Sequence, residues 1–531
     1  MILPSSQPFL KETLERRLFT RRIDLSNNIR LAIATDALHA MANGSWGTIT
    51  NIANKYAISR TFIYSLANGL KEVGEFFFGE KTNHLPAISA KEYAIQMMLS
   101  FRMEVIGSIA GVSTAMKRLK FPLSSTGAIS ETLSRIGGSL SMTIDSKESI
   151  QYLVFASDEI FSKNIPILVT VDPCSSAILR IELSKTRNAE DWKNHFDCIK
   201  NNGVEAIYLV SDDGSGLRAG HAEGLSETVR QSDTYHAVAH NLGSWTDRIE
   251  TAAYAAIKKE CECERTLASA KSDQVKNKRR ESYDKAVKNA AQAIMLYDDF
   301  YYLYRCIISE LHVFDADGNL RHRQQAEEGI EMGLTLMDEL NHAAVSRAVN
   351  KVRRTLPDLF HYFDRAETLV NECKALKIDE DTLKAYCIAW QWGKAVRKAK
   401  KSKRKQKAKQ QERICLETAN WLHQQGVEDE GWDKDIQKVI YSKLDQIIQS
   451  SALVECINSI IRPYFNTSKN NVSQHQLNLI MHYHNHRRYL DGVRKGRTPM
   501  EILTGKDNQK DWIEVLFDII REKDPELLMA S

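Results

Sequence analysis

With 531 residues the chain is long enough for several domains, and its formal charge of +4 is too small to mark it as a nucleic-acid protein on net charge alone. Nine cysteines, odd in number and scattered, include no Cys-x-x-Cys pair, and Cys261-x-Cys263 has the wrong spacing for zinc, so reduced thiols in a cytoplasm are the simpler reading. The N-terminus reaches Lys11, Glu12, Glu15, Arg16 and Arg17 without a long apolar core, and no later stretch approaches the ~20 apolar residues of a membrane span; a soluble, unexported protein is expected.

From Leu10 to Leu140 the pattern is helical throughout. One helix is expected over Leu31 to Met41. A second opens at Trp46-Gly47-Thr48 and runs through Ile49, Ile52 and Ala53 to Tyr56. Ala57-Ile58-Ser59 makes a tight turn, with Ser59 as N-cap of a third helix from Arg60 to Asn68. The spacing resembles a helix-turn-helix, which would turn Arg60, Thr61 and Tyr64 toward a DNA major groove and leave Phe62, Ile63 and Leu66 for packing. After a linker around Thr82 to Pro86 a second unit follows. Val105, Ile106, Ile109 and Leu119 give a helix pair broken at Gly111, and Ser124-Ser125-Thr126-Gly127 caps a helix from Ala128 to Ile136 with Ser130, Thr132 and Arg135 polar. An ordinary trihelical core is the alternative for both units.

The next stretch, Tyr152 to Asn241, reads as a sheet that carries acids where a sheet tolerates them least. Tyr152 to Ser157 is apolar and strand-like yet runs into Asp158-Glu159, and a buried carboxylate is costly unless paired or metal-bound. Ile165 to Val171 and Ile178 to Leu183 are two more strands, joined by the turn Asp172-Pro173-Cys174-Ser175-Ser176. A helix from Ala189 to Lys200 ends at Asn202-Gly203, and a fourth strand, Ala206 to Val210, stops at Ser211-Asp212-Asp213-Gly214. Three strands, a helix and a strand, with one acid in the first strand and another after the fourth, resemble the RNase H-like sheet of a DDE transposase. That resemblance implies Asp158 and Asp212 as catalytic metal ligands and a third acid on a later helix. Ser-Asp-Asp-Gly is similar to the family's Ser-Asp-Asn-Gly, which favours Asp212, with Asp213 as the alternative. Asp233-Thr-Tyr-His236 matches a motif of transposases that carry a large insertion between the second and third acids, and His236 as a satisfied strand histidine is the competing reading.

An insertion does follow. Between Asn241 and Ser450 the sheet pattern gives way to amphipathic segments at Thr246 to Cys261, Tyr283 to Leu311, Glu327 to Leu356 and Asp379 to Lys400. Lys271 to Arg280 is charged, and from Lys394 to Arg413 Lys and Arg dominate with Glu412 as the single acid. Such a run is a solvated helix face or a track for phosphates. Trp390 and Trp392 are core residues or, alternatively, stack on an unpaired base. Beyond it, Glu455, Asn458, Ser459 and Arg462 fall at i, i+3, i+4 and i+7 on one face of a helix whose other face is Leu453, Val454, Ile457, Ile460 and Ile461. This looks like the family's glutamate helix. His484-Asn-His-Arg-Arg-Tyr489 and Gly496-Arg-Thr-Pro-Met-Glu-Ile-Leu503 resemble the segment after it in bacterial insertion-sequence transposases. His482, His484, His486, Arg487 and Arg488 then read as a phosphate-facing basic patch, ahead of a helix from Trp512 to Ile520.

The expected organisation is multidomain, all-α and α/β. It comprises helix-turn-helix regions at 1–81 and 87–145, an RNase H-like mixed-sheet core at 150–243 and 449–531, and an all-helical insertion at 244–448. What the resemblance implies is metal-dependent cleavage and strand transfer of double-stranded DNA, at transposon ends and target. Asp158, Asp212 and Glu455 would hold two Mg²⁺ ions per site, with Mn²⁺ as substitute. Asp158 would bridge both ions, and Asp212 and Glu455 would each hold one. The same resemblance implies a homodimer or higher oligomer on DNA in a bacterial, nucleoid-associated, cytoplasmic setting, with no membrane. Taken singly each acid also suits a plain role: Asp158 as a turn or cap residue at a strand end, Asp212 or Asp213 opening a turn, Glu455 on a solvated face. Rival readings of the whole are a non-catalytic, domesticated DNA-binding regulator and a structure-specific nuclease without strand transfer.

Overall fold

The computed structural model describes residues 24–78, 90–376, 378–399, 401–426 and 436–529. The expectations for Lys11 to Arg17 and for the linker Thr82 to Pro86 lie outside the described residues. Two compact units emerge, Met1–Ile88 and Ser89–Ser531.

In the first unit, α1 (Asn27–Ala42) starts four residues before the expected Leu31 because the Ser26 Oγ accepts the Ile29 N–H at 3.3 Å. Helix α2 (Thr48–Tyr56) ends where Ala57 turns left-handed, at φ 50°. Helix α3 (Arg60–Phe78) starts under the Ser59 cap, whose Oγ accepts the Phe62 N–H at 3.1 Å, and runs well past Asn68. Leu25, Ile33, Ala37, Ile52, Ile63 and Ala67 form a small closed core among the three helices. Arg60, Thr61 and Tyr64 stay on the exposed side of α3.

The second unit begins with α4 (Ala90–Leu99), a π-helical turn (Ser100–Glu104), α5 (Ile109–Arg118) and α6 (Thr126–Ser139). The break expected at Gly111 lies instead at Ile106–Ser108. Ile106 adopts φ 56°, and the Ser108 Oγ accepts the Gly111 N–H at 3.2 Å, which puts Gly111 in the first turn of α5. The sheet follows: β1 (Gln151–Ser162), β2 (Ile165–Val171), β3 (Ile178–Leu183), α7 (Ala189–Asn201), β4 (Val204–Ser211), α8 (Ser215–Gly224) and β5 (Val229–Ser232). Strand order is β3-β2-β1-β4-β5, antiparallel across the first three and parallel from β1 to β4 to β5. A π-helical segment, Tyr235–His240, leads without a break into α9 (Asn241–Ala268).

The insertion continues as α10 (Asp273–Glu310), α11 (Arg323–Asp338), α12 (Ala343–Thr355), α13 (His361–Lys374), α14 (Glu380–Lys398), α15 (Ser402–Gly426) and α16 (Ile436–Leu444). It has its own core around Phe300, Ile330, Leu334, Tyr362, Tyr386 and Trp390. The amphipathic segment expected over Glu327 to Leu356 comprises two helices, α11 and α12. Trp390 is a core residue: it is buried and donates its indole N–H to Asp445 Oδ1 at 2.8 Å, and Trp392 is half-buried, so neither is displayed for stacking.

After the insertion come α17 (Ala452–Thr467), α18 (Gln474–His486), α19 (Pro499–Thr504) and α20 (Trp512–Lys523). Helix α18 lies along the edge strand and satisfies it with side-chain amides. Asn485 accepts the Ile178 N–H (2.8 Å) and donates to the Ile178 carbonyl (2.9 Å), while Gln474 does the same for Leu183 N–H (2.8 Å) and Ile181 carbonyl (2.9 Å). The start of α18 also meets α6 so closely that a Cβ on Gly137 would stand 2.1 Å from the His475 carbonyl oxygen. Asn478 closes this contact by donating to the Gly137 and Leu140 carbonyls, both at 3.0 Å. Ile95, Met98, Val112, Ile129 and Ile136 therefore belong to one core with Phe155, Leu168, Trp192 and Leu477. The stretch at 87–145, expected to be a helix-turn-helix region by itself, shares the hydrophobic core of the sheet.

Candidate active site

Strand β1 extends four residues past Asp158, so this acid sits inside the strand, opposite Val169 of β2. Its neighbour Ser157 pairs with Ser211, the last residue of the parallel strand β4. Asp212 follows directly, which brings two carboxylates to one level on adjacent strands. Burial, the negative charge of Asp212 and, more weakly, those of Glu159 and Glu455 push the Asp158 carboxyl up to about 7, against a bond from the Glu159 N–H that lowers it. Glu159 alternates to another direction and pairs with Arg187.

Asp212 and Asp213 are distinguished by their partners. Asp213 Oδ1 accepts from the Arg230 guanidinium at 3.0 Å and from the Ser232 hydroxyl at 3.3 Å, and the same buried Arg230 holds Asp358 of the insertion at 2.9 Å. Asp212 accepts the Gly214 N–H at 3.0 Å to shape the turn and makes no ion pair among the described residues. Of the two, Asp212 is the carboxylate whose charge acts on Asp158.

Helix α17 is held over β1 by one of the residues of its polar stripe, as Asn458 Nδ2 donates to Asp158 Oδ2 at 3.0 Å. One turn earlier, Glu455 Oε1 lies 3.1 Å from His236 Nε2, and His236 Nδ1 lies 3.2 Å from Asp233 Oδ2. Asp233 is the hub of this corner. It is buried and accepts the N–H groups of Tyr235 (2.6 Å), His236 (3.1 Å) and Ser451 (2.9 Å), with hydroxyl donors Ser451 (2.6 Å) and Ser450 (3.2 Å). It thereby caps the π-helical segment and fastens the end of β5 to the start of α17. Burial alone would raise the Asp233 carboxyl; bonds from His236 and Ser451 outweigh it and hold it below the ordinary range. The bond to Asp233 raises His236, against a smaller effect of burial and with help from the charges of Glu455 and Asp212. His236 is thus a helical residue between two carboxylates and not a strand histidine.

The donor chemistry, three carboxylate oxygens with one acid driven toward neutrality by burial and by its neighbours, suits a hard divalent cation. As placed, however, no three His, Cys, Asp or Glu side chains among the described residues converge on one point close enough to hold an ion. Glu455 is turned to His236.

The remaining expected site residues separate into two groups. Arg60, Thr61, Tyr64, Ser130 and Arg462 are exposed. Arg135 is engaged with Asp524, Arg488 makes paired bonds to the buried Glu501 at 2.9 and 2.8 Å, and Arg487 lies over the Tyr483 ring at 5.4 Å. The expected histidine patch is internal. On a helix, residues two apart point in different directions. His482 bonds the Trp512 carbonyl (3.1 Å) and His484 the Ser176 carbonyl (2.8 Å), while burial drives both, and His486, down to about 3 to 4 and so keeps them neutral. Arg230, Asp358 and Ser451 take part in the site without having been expected there. No sequence signal short of the fold connects them, as Arg230 and Asp358 are 128 residues apart.

No family model matches the chain, and no curated protein matches it. Among solved structures it is similar to a Drosophila P element transposase strand transfer complex, at 11% identity over 88% of this chain and 100% of that one. The TM-score of 0.22 is too low to carry an argument about fold or function. No helix among the described residues is long and apolar enough to cross a membrane.

Proposed function

We propose that this protein is a DDE-type DNA transposase with an RNase H-like core, cutting and joining DNA at the Asp158, Asp212 and Glu455 carboxylates. The observation that carries the reading is the shared level of Asp158 and Asp212 on adjacent parallel strands, with the Glu455 helix bonded directly to Asp158 through Asn458. Asp158, Asp212 and Glu455 would hold divalent cations, Mg²⁺ or Mn²⁺. When bound, two such ions supply charge neutralisation at the attacking and leaving oxygens of a phosphoryl transfer. The chain's own part is positioning. Asp158 must give up its proton, Asn458 orients it, and Glu455 must leave His236 to join the other two acids. Asp213 is the structural member of its pair, because Arg230 already neutralises it.

The test is cleavage and joining of DNA carrying the element's ends, with Mg²⁺ or Mn²⁺, by wild type and by Asp158→Ala, Asp212→Ala, Asp213→Ala and Glu455→Ala. Loss of at least about a thousandfold is expected in the Asp158, Asp212 and Glu455 variants, and a smaller loss in Asp213→Ala. Binding of the ends without cutting or joining would hand the protein to the regulator reading, and cutting without joining to the nuclease reading. Assembly as a dimer or larger on paired ends belongs to the same proposal and is read from the mass of the DNA complex.

Asp158 adds a pH dependence. Its folded value of about 7 lies above the ordinary 3.8, so its contribution to metal-free stability is greatest at low pH and is lost as pH rises toward 7. Cation binding has the opposite sign, tightening from pH 6 to pH 8 as the proton leaves. Urea midpoints and Mn²⁺ titrations at the two pH values check both, and Asp158→Asn is expected to flatten the first.

A further inference from the structure

The rim of the acid corner exposes aromatic surface that none of the described residues covers. Tyr235, the residue before His236, leaves 51% of its surface exposed although it begins a segment buried at Ala237 and Val238. Its ring is stacked on that of His240, centroids 6.3 Å apart at 20°, and stands edge-on to His236 at 5.4 Å. The π-helical winding puts Tyr235 and His240 in register at i and i+5, which α-helical winding would not. Both rings are exposed, at the mouth of an acidic site.

Cations lie near Tyr304, which borders the same segment. Tyr304 of α10 reaches toward that segment, its hydroxyl 3.5 Å from the Ala239 carbonyl; burial raises its phenol above the ordinary range, the charges of Arg305 and Arg404 oppose that, and Tyr235 adds to it. Gly243 makes room for this approach, because a Cβ there would sit 2.7 Å from the Tyr304 hydroxyl. Arg305 and Arg404 are exposed, and neither is paired with a carboxylate among the described residues. Arg404 belongs to the stretch Lys401 to Lys409 at the start of α15, where Lys and Arg occupy six of nine positions and no acid does. Aromatic faces next to unpaired cations form the combination that binds single-stranded nucleic acid, bases stacking on rings while cations follow the phosphates.

We propose that Tyr235 and His240 form a stacking platform for an unpaired DNA base, with Arg305, Arg404 and the basic start of α15 holding the phosphates of the same strand. The platform rests on the reading of the neighbouring acids as a DNA-cutting site, for it would receive the strand melted out beside the scissile phosphate. The occupant is single-stranded DNA of any sequence, since every base has a stackable face.

Binding can be measured apart from chemistry. Fluorescence anisotropy of a labelled 20-nucleotide oligo(dT), with EDTA present, compares wild type with Tyr235→Ala, Tyr235→Phe and the double variant Arg305→Glu/Arg404→Glu. Tyr235→Ala is expected to weaken binding about fivefold or more, Tyr235→Phe to leave it near wild type, and the double variant to weaken it with a reduced salt dependence. The exposed positions of Tyr235, Arg305 and Arg404 leave the fold intact, which circular dichroism monitors. Equal affinity in Tyr235→Ala and wild type, or no binding of oligo(dT) by wild type, would overturn the platform. Tyr235-dependent binding by a protein that never cuts DNA would sustain the platform while removing the transposase reading.

Discussion

Helices α1–α3 and α4–α6 share a sequence pattern, two helices followed by a turn and a serine-capped third helix, and they end in opposite situations. The first set closes on itself: Ile33, Ile52 and Ile63 meet in a private core, and the third helix keeps Arg60, Thr61 and Tyr64 in solvent. The second set contributes Ile95, Val112 and Ile136 to the core of the sheet, and its third helix is spent on α18 and on Asp524. The difference arises from partners more than 300 residues away, His475, Asn478 and Asp524, and not from anything inside the pattern. A serine cap and an apolar stripe specify a helix; whether its polar side is free to read DNA depends on what else packs there.

The largest test of this contrast is at Gly137. Replacement by Val puts a side chain into the His475 backbone, which cannot yield as a flexible side chain would, so the cost should exceed the ~1–3 kcal/mol of ordinary overpacking. Because α6 is part of the main core, the expected outcome is loss of cooperative unfolding for the whole second unit, followed by calorimetry. Ile63→Asp is the counterpart. It leaves a carboxylate unpaired in the small core and should unfold the first unit, with a penalty of several kcal/mol. The melting of the second unit should remain, and hydrogen exchange resolved by segment would detect the separation. If both substitutions unfolded the same residues, the two-core description would fail.

A smaller effect is expected for Arg60→Ala and Tyr64→Ala. If α3 reads DNA, each costs about 1–3 kcal/mol of affinity for the element's ends where it meets a base, or a salt-dependent loss spread over all sequences where it meets a phosphate. Titrations against specific and scrambled DNA at two salt concentrations distinguish these cases. An unchanged affinity in both variants would leave the first unit as a plain trihelical core.

Much of the local structure is legible in the chain. The bounds of β2 and β3, the Ser59 cap and the turn at Ala57 follow from β-branched runs, a capping hydroxyl and a tight turn. Asp158 and Glu455 can be picked out as misfits, an acid in an apolar strand and a polar stripe on an apolar helix. What could not be read is long-range. Strand β5 is only four residues, Val-Arg-Gln-Ser, and its polar side chains find partners only in the fold: Arg230 with Asp213 and Asp358, Gln231 with the Ile448 carbonyl at 3.1 Å. The choice between Asp212 and Asp213 turns on Arg230, and the orientation of Glu455 turns on Asp233, which binds Ser451 from 218 residues away. Hydrogen-bonded polar groups carry no period, so a search for stripes and alternation passes over them.

Arg135 offers the finest distinction between the two helical sets. It occupies on α6 a position that the pattern assigns to DNA, yet its guanidinium makes paired bonds with Asp524, and that bond, with burial opposing and the charges of Asp524 and Glu526 adding, raises its already high pKa. A cation held by a carboxylate has its charge largely cancelled and its donors occupied. Arg135→Ala should therefore leave DNA affinity and its salt dependence as they are, where Arg60→Ala changes them. The pair lies at the surface, with the Arg135 side chain about half-exposed, so the melting temperature should fall by no more than about 2 °C. A loss of DNA affinity equal to that of Arg60→Ala would mean that Asp524 releases Arg135 to the nucleic acid, and the second helical set would then regain the role its sequence suggests.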